Sequence, residues 1–229
     1  MDFLQAIAER HSVRNYLPKA LEPSVVEALE AEIARANAEG HLHLQLVLNE
    51  EKAFQSRLAK YGKFSGVQNY IVVAARRSAQ SEELAGYYGQ RVVLKAQTLG
   101  LNTCWVGLTY SKTAGAFALA DGEKVLCVIA LGYGATQGVR HKVKSAGQVS
   151  NVGEGTPDWF QRGVEAALLA PTAINQQRFR FDYVAPKDGR KATVTAKRSF
   201  SLAGYTHIDL GIAKLHFELA AGKDNFDWA

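Results

Sequence analysis

A turn in the second half of the sequence carries a dense set of hydrogen-bonding side chains. Ala170-Pro171 ends an apolar helical stretch, because a helix rarely continues through the residue before proline. Four polar side chains follow closely: Thr172, Asn175, Gln176 and Gln177. They offer donors and acceptors on a short piece of backbone, and the alternating residues 178–181 predict a strand that anchors it. We interpret residues 171–177, here called the polar turn, as one side of a ligand site.

A second group of side chains suited to ligand binding is Arg10, Ser12 and Arg14. Their spacing of two places all three on one face of an extended segment. Two guanidinium groups and a hydroxyl on one face could hold an anion such as phosphate. The same spacing is equally typical of a solvated basic loop, so the pattern by itself leaves both interpretations open.

The elements that must position these residues alternate between helices and strands. Continuous apolar runs at residues 70–75 and 125–131 are typical of strands covered on both faces. Helical spacing predicts helices at the start of residues 1–16 and over about 23–40, 51–61, 81–99 and 207–221. Alternation predicts half-buried strands at 41–48 and 192–196, the second preceded by a turn at 185–189.

Two parts of the sequence resemble each other in the order of their elements. Residues 26–29 and 164–167 each begin a helix that an alternating strand follows. Each part later contains a long helix that ends in glycine, and then the pattern Asn-x-x-Trp, at Asn102 and at Asn225. This similarity predicts two degenerate halves related by a pseudo-two-fold axis.

We place the boundary between these halves after residue 150, so that residues 1–150 and 151–229 form one compact unit with a site between them. The polar turn occurs only in the second half. The corresponding position in the first half, residues 36–40, lacks its amide and hydroxyl cluster. We therefore predict one site in each chain.

The composition is that of an ordinary globular protein, with 47% hydrophobic and 21% charged residues. The longest apolar run, residues 125–131, is much shorter than the roughly 20 residues of a membrane-spanning helix. The first ten residues carry acids and lack the apolar core of a signal peptide. We expect no membrane association, a mature chain that begins at Met1, and a cytoplasmic location.

The net charge of +5 favours anionic ligands, and much of the positive excess lies in residues 140–144 and 190–198. These segments lack the interleaved aromatic residues of a groove for single-stranded nucleic acid. A basic nucleic-acid module is therefore supported by charge only, and the phosphate of a small ligand fits as well. We predict no nucleic-acid partner.

Neither cysteines nor histidines form a recognisable metal site. Cys104 and Cys127 lie in apolar surroundings without a CxxC pair, which favours two core residues over a disulfide or zinc ligands. His41 and His43 would share a strand face, but a third ligand at a plausible spacing is missing from the sequence. We predict no bound metal.

Four segments spread over most of the chain carry a further set of patterns: Arg10 to Arg14, Leu99 to Gly107, Leu131 to Tyr133 and Ala170 to Gln177. They resemble, in that order, the Arg-x-Ser-x-Arg, Gly-Leu-Gly-x-x-Trp-x-Gly, late strand end and Ala-Pro-Ser-x-x-Asn-x-Gln motifs of the nitroreductase family of FMN-dependent oxidoreductases. In that family the Pro-Ser turn usually follows soon after the N-terminal arginines, whereas here it comes after the late strand. Two degenerate half-copies in one chain would explain the changed order.

The resemblance implies an α+β fold with a mixed, largely antiparallel central sheet and helices packed around it. It implies an enzyme in which NAD(P)H gives hydride to N5 of FMN and leaves, after which an acceptor such as a nitroaromatic or quinone takes its place. A flavin-binding carrier or sensor without reductase turnover is the alternative. Family members are generally homodimers with flavins at the interface, so the chain could be a homodimer or a pseudo-dimeric monomer that supplies both sides itself.

The resemblance also assigns residues. Arg10 and Ser12 would hold the FMN phosphate, and Arg14 would lie by the pyrimidine edge, where a cation stabilises reduced flavin. The backbone of Val106 and Gly107 would face N5, so that no side chain is needed as a catalytic nucleophile. The remaining residues implied to bind the cofactor are Lys142 and Lys144 at the phosphate, Lys63 at the ring edge, and Pro171, Thr172, Ala173 and Asn175 of the polar turn.

Overall fold

The computed structural model describes residues 1–187 and 190–229. The turn predicted at residues 185–189 therefore includes two positions, Asp188 and Gly189, that lie outside the described residues. The helices are α1 (Phe3–Glu9), α2 (Pro23–Gly40), α3 (Arg57–Tyr61), α4 (Ala79–Thr98), α5 (Ala146–Val149), α6 (Asp158–Leu168) and α7 (Thr206–Ala221). The strands are β1 (His43–Val47), β2 (Asn69–Arg76), β3 (Asn102–Val106), β4 (Glu123–Gly132), β5 (Phe179–Val184), β6 (Ala192–Arg198) and β7 (Phe226–Trp228).

The two continuous apolar runs form the centre of a four-stranded sheet with the order β1-β2-β4-β3. All three pairs in this sheet are antiparallel, and Ile71 of β2 lies opposite Ile129 of β4. Both isoleucine side chains are fully buried, as expected where helices and loops cover both faces of a sheet. The predicted strands at 70–75 and 125–131 are therefore confirmed.

A second sheet has the order β5-β6-β7. Strands β5 and β6 are antiparallel, whereas the short β7 pairs with β6 in parallel. The predicted α+β class with mixed, largely antiparallel pairing is confirmed, although the strands are divided between two sheets where one central sheet was expected.

Helix α7 packs closely against α4 at two glycines. A Cβ atom on Gly86 of α4 would overlap the carbonyl oxygen of Ile208, and one on Gly211 of α7 would overlap the carbonyl oxygen of Glu83. The helix backbones are therefore in direct contact. On another side, α7 packs against α6, where a Cβ atom on Gly163 would lie 2.7 Å from the Phe217 ring.

The strand predicted from His41 begins two residues later, at His43. His41 ends α2 in the left-handed conformation, with φ 49°, and its N–H donates to the carbonyl of Asn37. His41 and His43 therefore do not share a strand face, which was a wrong expectation. The predicted polar helix at 51–61 is also divided, into a 3₁₀ turn at Lys52–Phe54 and the short α3.

Both predicted halves contain a helix, an antiparallel pair of strands, a second long helix and a strand, as α2-β1-β2-α4-β3 and α6-β5-β6-α7-β7 apart from α3. Their pairing differs, because β4 separates β2 from β3 whereas β7 pairs directly with β6. The pseudo-two-fold axis and the boundary at residue 150 stay predictions. Among the described residues, no helix has both the length and the apolar character needed to cross a membrane.

Candidate functional site

A cavity of about 490 Å³ lies where the N-terminal segment, the end of β3, the polar turn and the start of α7 meet. Its walls come from residues far apart in the chain, from Ser12 to Ile212. The lining residues are Ser12, Arg14, Tyr61, Cys104 to Thr109, Cys127, Pro171 to Ile174, Ala203, Tyr205, Ile208, Asp209 and Ile212. Most of them are apolar, with hydroxyls, a guanidinium and a carboxyl among them, so the cavity suits a largely apolar ligand that has polar edges.

The N-terminal segment is extended beside β3. Ser12 forms a parallel bridge with Thr103, and the N–H of Val13 donates to the Thr103 carbonyl at 3.0 Å. Val13 is buried on one side of the segment, whereas Ser12 and Arg14 both reach the cavity. The structure therefore brings together two of the three residues that the spacing of two had placed on one face.

Arg10 is placed differently, because it ends α1 as its C-cap before the extended segment begins. It does not line the cavity, and only 2% of the residue is exposed. Its Nε and Nη1 atoms are buried without a hydrogen-bond partner in the described part of the chain, and burial lowers its pKa to about 10. A buried, unpaired guanidinium is costly, so this position strongly favours an anion nearby.

The polar turn has an unusual backbone. Ile174, Asn175 and Gln177 all have positive φ, at 48°, 57° and 45°. Left-handed conformations are unfavourable for residues other than glycine, most of all for a β-branched isoleucine. Ile174 is nevertheless 84% exposed and lines the cavity. The strain therefore directs an apolar side chain to the mouth of the cavity.

Residues 142–144 lie along the outer side of the polar turn. The Lys142 carbonyl accepts hydrogen bonds from Nδ2 of Asn175 and from Nε2 of Gln177, each at 2.8 Å. The Lys144 ammonium donates to the carbonyls of Gln176 and Gln177, at 3.1 and 2.7 Å. Lys142, Lys144 and Asn175 do not line the cavity, and these hydrogen bonds hold the turn.

Of the twelve residues implied to bind the cofactor, seven line the cavity: Ser12, Arg14, Val106, Gly107, Pro171, Thr172 and Ala173. The other five lie outside its lining: Arg10, Lys63, Lys142, Lys144 and Asn175. Lys63 is exposed on the loop that follows α3, two residues beyond Tyr61, which does line the cavity.

Tyr205 is a cavity residue that sequence reasoning missed. Its ring lies against Gly107, where an added Cβ atom would be 2.5 Å from Cζ of the tyrosine. The absence of a side chain at Gly107 makes room for the Tyr205 ring. Tyr205 has φ 59° directly before α7. The left-handed conformation of Tyr205 is what distinguishes it, and a backbone conformation of this kind cannot be recognised from the sequence.

Asp209 was missed as well. It lies in the first turn of α7, where an acid is ordinary because it interacts favourably with the helix dipole. Here it is 3% exposed and lines the cavity. Burial raises its pKa to about 6, while hydrogen bonds from Ala173 and Gln176 act in the opposite direction.

Trp105 is held in the cavity wall by a buried chain of hydrogen bonds. Its Nε1 donates to Oε1 of Gln90 at 3.0 Å, and Nε2 of Gln90 donates to Nε2 of His216 at 2.8 Å. Nδ1 of His216 in turn donates to the Ala166 carbonyl at 3.1 Å. Burial, followed by the charge of Arg10, lowers the pKa of His216 to about 3, so this histidine is neutral and fixed in one tautomer.

The cavity contains thiols, but they are poor nucleophiles. Burial raises the pKa of Cys104 and, more strongly, that of Cys127, so both stay protonated at neutral pH. Within residues 1–187 and 190–229, no three His, Cys, Asp or Glu side chains come together as potential metal ligands. The arrangement is best suited to binding an organic group between apolar walls.

Comparison with known proteins gives a consistent result. A scan against protein-family models matches residues 2–221 to the family described as "Putative TM nitroreductase". No curated protein matches the chain. The family match covers nearly the whole sequence, including all four motifs.

Two solved structures show the same fold. A "putative nitroreductase" from Thermotoga maritima is 23% identical, with a TM-score of 0.68 over 98% of this chain and 85% of that chain. A "putative nitroreductase" from Desulfovibrio desulfuricans, solved in complex with FMN, is 22% identical, with a TM-score of 0.52 over 69% of this chain and 99% of that chain. The matched residues 2–221 thus carry both the fold and the motifs, and the chain belongs to the nitroreductase family.

Proposed function

We propose that this protein binds FMN in the cavity and acts as an oxidoreductase that transfers hydride from NAD(P)H to a small electron acceptor, such as a nitroaromatic or quinone, in a ping-pong reaction. The observation that carries the proposal is the cavity itself. Ser12 and Arg14 line the same cavity as residues 106–107 and 171–173, although these segments are distant in sequence. When bound, FMN supplies the hydride chemistry at its N5 atom.

The residues present fit this cofactor. An isoalloxazine ring is flat and apolar with polar edges, which agrees with walls formed by residues such as Trp105, Ile208 and Ile212 and with polar groups at Ser12 and Arg14. The phosphate carries negative charge, and two buried nitrogen atoms of Arg10 have no hydrogen-bond partner among the residues that the structure describes. We therefore assign Arg10 and Ser12 to the phosphate and Arg14 to the pyrimidine edge.

The other assignments follow the placement of each residue. Pro171, Thr172 and Ala173 line the cavity and would contact the cofactor directly, and the backbone of Val106 and Gly107 would face the N5 side of its ring. Because the Lys144 ammonium donates to two carbonyls of the polar turn, its main contribution, together with Lys142 and Asn175, is to hold that turn. Lys63 stays the weakest assignment, since it is exposed and does not line the cavity.

Turnover is tested by anaerobic reduction of the flavin-loaded protein. NADH or NADPH should bleach the flavin absorbance near its visible maximum, and a nitroaromatic or quinone should restore it. If the protein binds FMN but neither nucleotide bleaches it, the oxidoreductase proposal is wrong and a flavin carrier or sensor is the better description. The nucleotide that reduces the flavin faster identifies the physiological reductant class.

A further inference from the structure

The polar turn is strained and needs external support. Three of its residues, Ile174, Asn175 and Gln177, are left-handed, and such backbone persists only where the surroundings determine it. Four bonds among the described residues lie within the turn itself. The N–H of Gln177 donates to Oγ1 of Thr172 at 3.1 Å and its Nε2 donates to Oδ1 of Asn175 at 2.9 Å. The N–H groups of Asn175 and Gln176 donate to the carbonyls of Thr172 and Ala173, at 2.9 and 3.0 Å. Further hydrogen bonds come from outside the turn, from residues 142–144 on one side and from the start of α7 on the other.

The outer support comes from residues 142–144. It consists of carbonyl and ammonium contacts to Asn175, Gln176 and Gln177, and the N–H of Lys144 donates to Oε1 of Gln177 at 2.9 Å. All of these contacts involve the end of the turn. None of them reaches Ala173 or Ile174, the residues at the cavity.

The inner support comes mainly from the side chain of Asp209, in the first turn of α7. Oδ1 of Asp209 accepts the Ala173 N–H at 3.0 Å, and Oδ2 accepts Nε2 of Gln176 at 2.6 Å. The same Nε2 also donates to the Gly204 carbonyl at 3.0 Å. Asp209 thereby binds the two residues that flank the left-handed Ile174 and Asn175, namely Ala173 and Gln176. Both of its carboxylate oxygens are used as acceptors.

These bonds should be strong. Hydrogen bonds to an ionised acceptor are shorter and stronger than neutral ones, and the low exposure of Asp209 reduces competition from water. Helix α7 is itself fixed by backbone contact with α4 at Gly86 and Gly211. The carboxylate therefore connects the turn to a rigid element.

We propose that Asp209 is a positioning residue, whose carboxylate holds residues 173–176 in the left-handed conformation that shapes the cavity. Its effect on the backbone is independent of any ligand. Its effect on cofactor affinity rests on the proposed function, because Thr172 and Ala173 are assigned there to FMN.

Three variants separate the contacts. Asp209→Ala removes both acceptors. Gln176→Leu removes the bonds from Nε2 to Asp209 and to the Gly204 carbonyl and leaves the bond from the Ala173 N–H in place. Asp209→Asn keeps an oxygen for the Ala173 N–H. Its new amide nitrogen would face Nε2 of Gln176, so the Gln176 amide must turn over before its Oε1, which is buried without a partner among the described residues, can accept from it. The matched control is Glu218→Ala, which removes a carboxylate near the far end of the same helix that accepts from Tyr87 and Trp228.

The primary readout is backbone hydrogen exchange over residues 172–177 in FMN-free protein. We expect exchange in Asp209→Ala to be at least about tenfold faster than in wild type, the factor that corresponds to one lost charged hydrogen bond. Gln176→Leu should be intermediate, and Asp209→Asn should restore most of the protection. Glu218→Ala should lower Tm without changing exchange in the turn.

The second readout is FMN affinity by fluorescence titration, which should weaken about tenfold in Asp209→Ala and stay unchanged in Glu218→Ala. Wild-type exchange rates in the turn of Asp209→Ala and Gln176→Leu would overturn the assignment. If Asp209→Ala does not fold, Gln176→Leu and Asp209→Asn decide by the same exchange measurement. A wild-type protein that fails to bind FMN would refute the proposed function, while the exchange result would still decide the role of Asp209.

Discussion

Among single residues, Arg10 and His216 show how burial determines charge around the cavity. Arg10 keeps a buried charge, and two of its nitrogen atoms have no partner in the described part of the chain. By contrast, the pKa of His216 falls to about 3 and its imidazole is neutral. The charge of Arg10 contributes to that fall and also lowers the pKa of His11 and His141. The charge of Arg10 therefore dominates its surroundings, which favour an anionic ligand.

Replacing Arg10 should have opposite effects on stability and on cofactor affinity. Arg10→Met removes an unpaired buried charge, so the Tm of FMN-free protein should rise. The same change should weaken FMN binding by about 1.5–3 kcal/mol, the value of a lost charged hydrogen bond. Calorimetry and fluorescence titration measure the two effects. Arg162→Met, at an exposed position on α6, is the control, and unchanged FMN affinity in Arg10→Met would refute the phosphate assignment.

His216 should make the protein sensitive to acid. Its pKa is lowered from 6.5 to about 3 in the folded state, so below pH 6.5 the unfolded chain binds a proton that the folded chain does not. The free energy of unfolding should therefore fall as the pH falls from 6.5 towards 3, by about 1.4 kcal/mol per pH unit from this residue. In His216→Gln this component is absent. Urea titrations at pH 7 and pH 4.5 should show a smaller loss for the variant, and equal losses would contradict the buried neutral imidazole.

Among the elements, α7 connects the hydrophobic core to the cavity. Its first turns present Ile208, Asp209 and Ile212 to the cavity, while Phe217 further along is stacked on Phe181 of β5, with ring centroids 4.7 Å apart. Its backbone touches α4 at Gly211. The position of the cavity wall therefore depends on the separation of α4 and α7.

A methyl group at Gly211 should push these helices apart. Because the new Cβ atom would meet the Glu83 backbone carbonyl, which cannot rotate away, Gly211→Ala should destabilise the fold by about 1–3 kcal/mol. Gly147→Ala is the matched control, since Gly147 too is helical and no atom of residues 1–187 and 190–229 lies within 4 Å of its Cβ position. Chemical denaturation measures both. A stability of Gly211→Ala equal to that of Gly147→Ala would show that the helices are not in backbone contact.

The elements with strong local patterns could be predicted from sequence, and those that depend on distant contacts could not. The apolar runs of β2 and β4 and the periodicity of α4 and α7 identify these elements without tertiary information. The division into two sheets depends on which strands pair, and His41 leaves the predicted strand because a left-handed helix end is invisible in its side-chain pattern.

The same limit applies to the cavity. Ser12, Arg14 and the start of the polar turn could be predicted because local motifs carry them. Arg10 was expected on the same face, but α1 extends to Glu9 and places Arg10 at the helix end. Tyr205 and Asp209 line the cavity because of the way α7 packs. The residues around them in the sequence do not indicate this position.

In the whole molecule, residues of both predicted halves line the one cavity to which we assign the cofactor. The first half contributes residues such as Ser12 and Val106, and the second contributes Thr172 and Asp209. If the halves supply the two sides that separate subunits supply in many family members, one chain is sufficient for one cofactor. The proposed pseudo-dimeric arrangement thus predicts one FMN per chain, whether or not the chains associate.

The most direct test is the number of FMN molecules bound per chain, measured by flavin absorbance after denaturation, together with the solution mass of the native protein by light scattering. We predict yellow protein that releases one FMN per chain, whether the mass is that of one chain or of two. Half an FMN per chain would contradict the single-chain site. Protein that is colourless and does not take up added FMN would contradict the assignment of the cavity altogether.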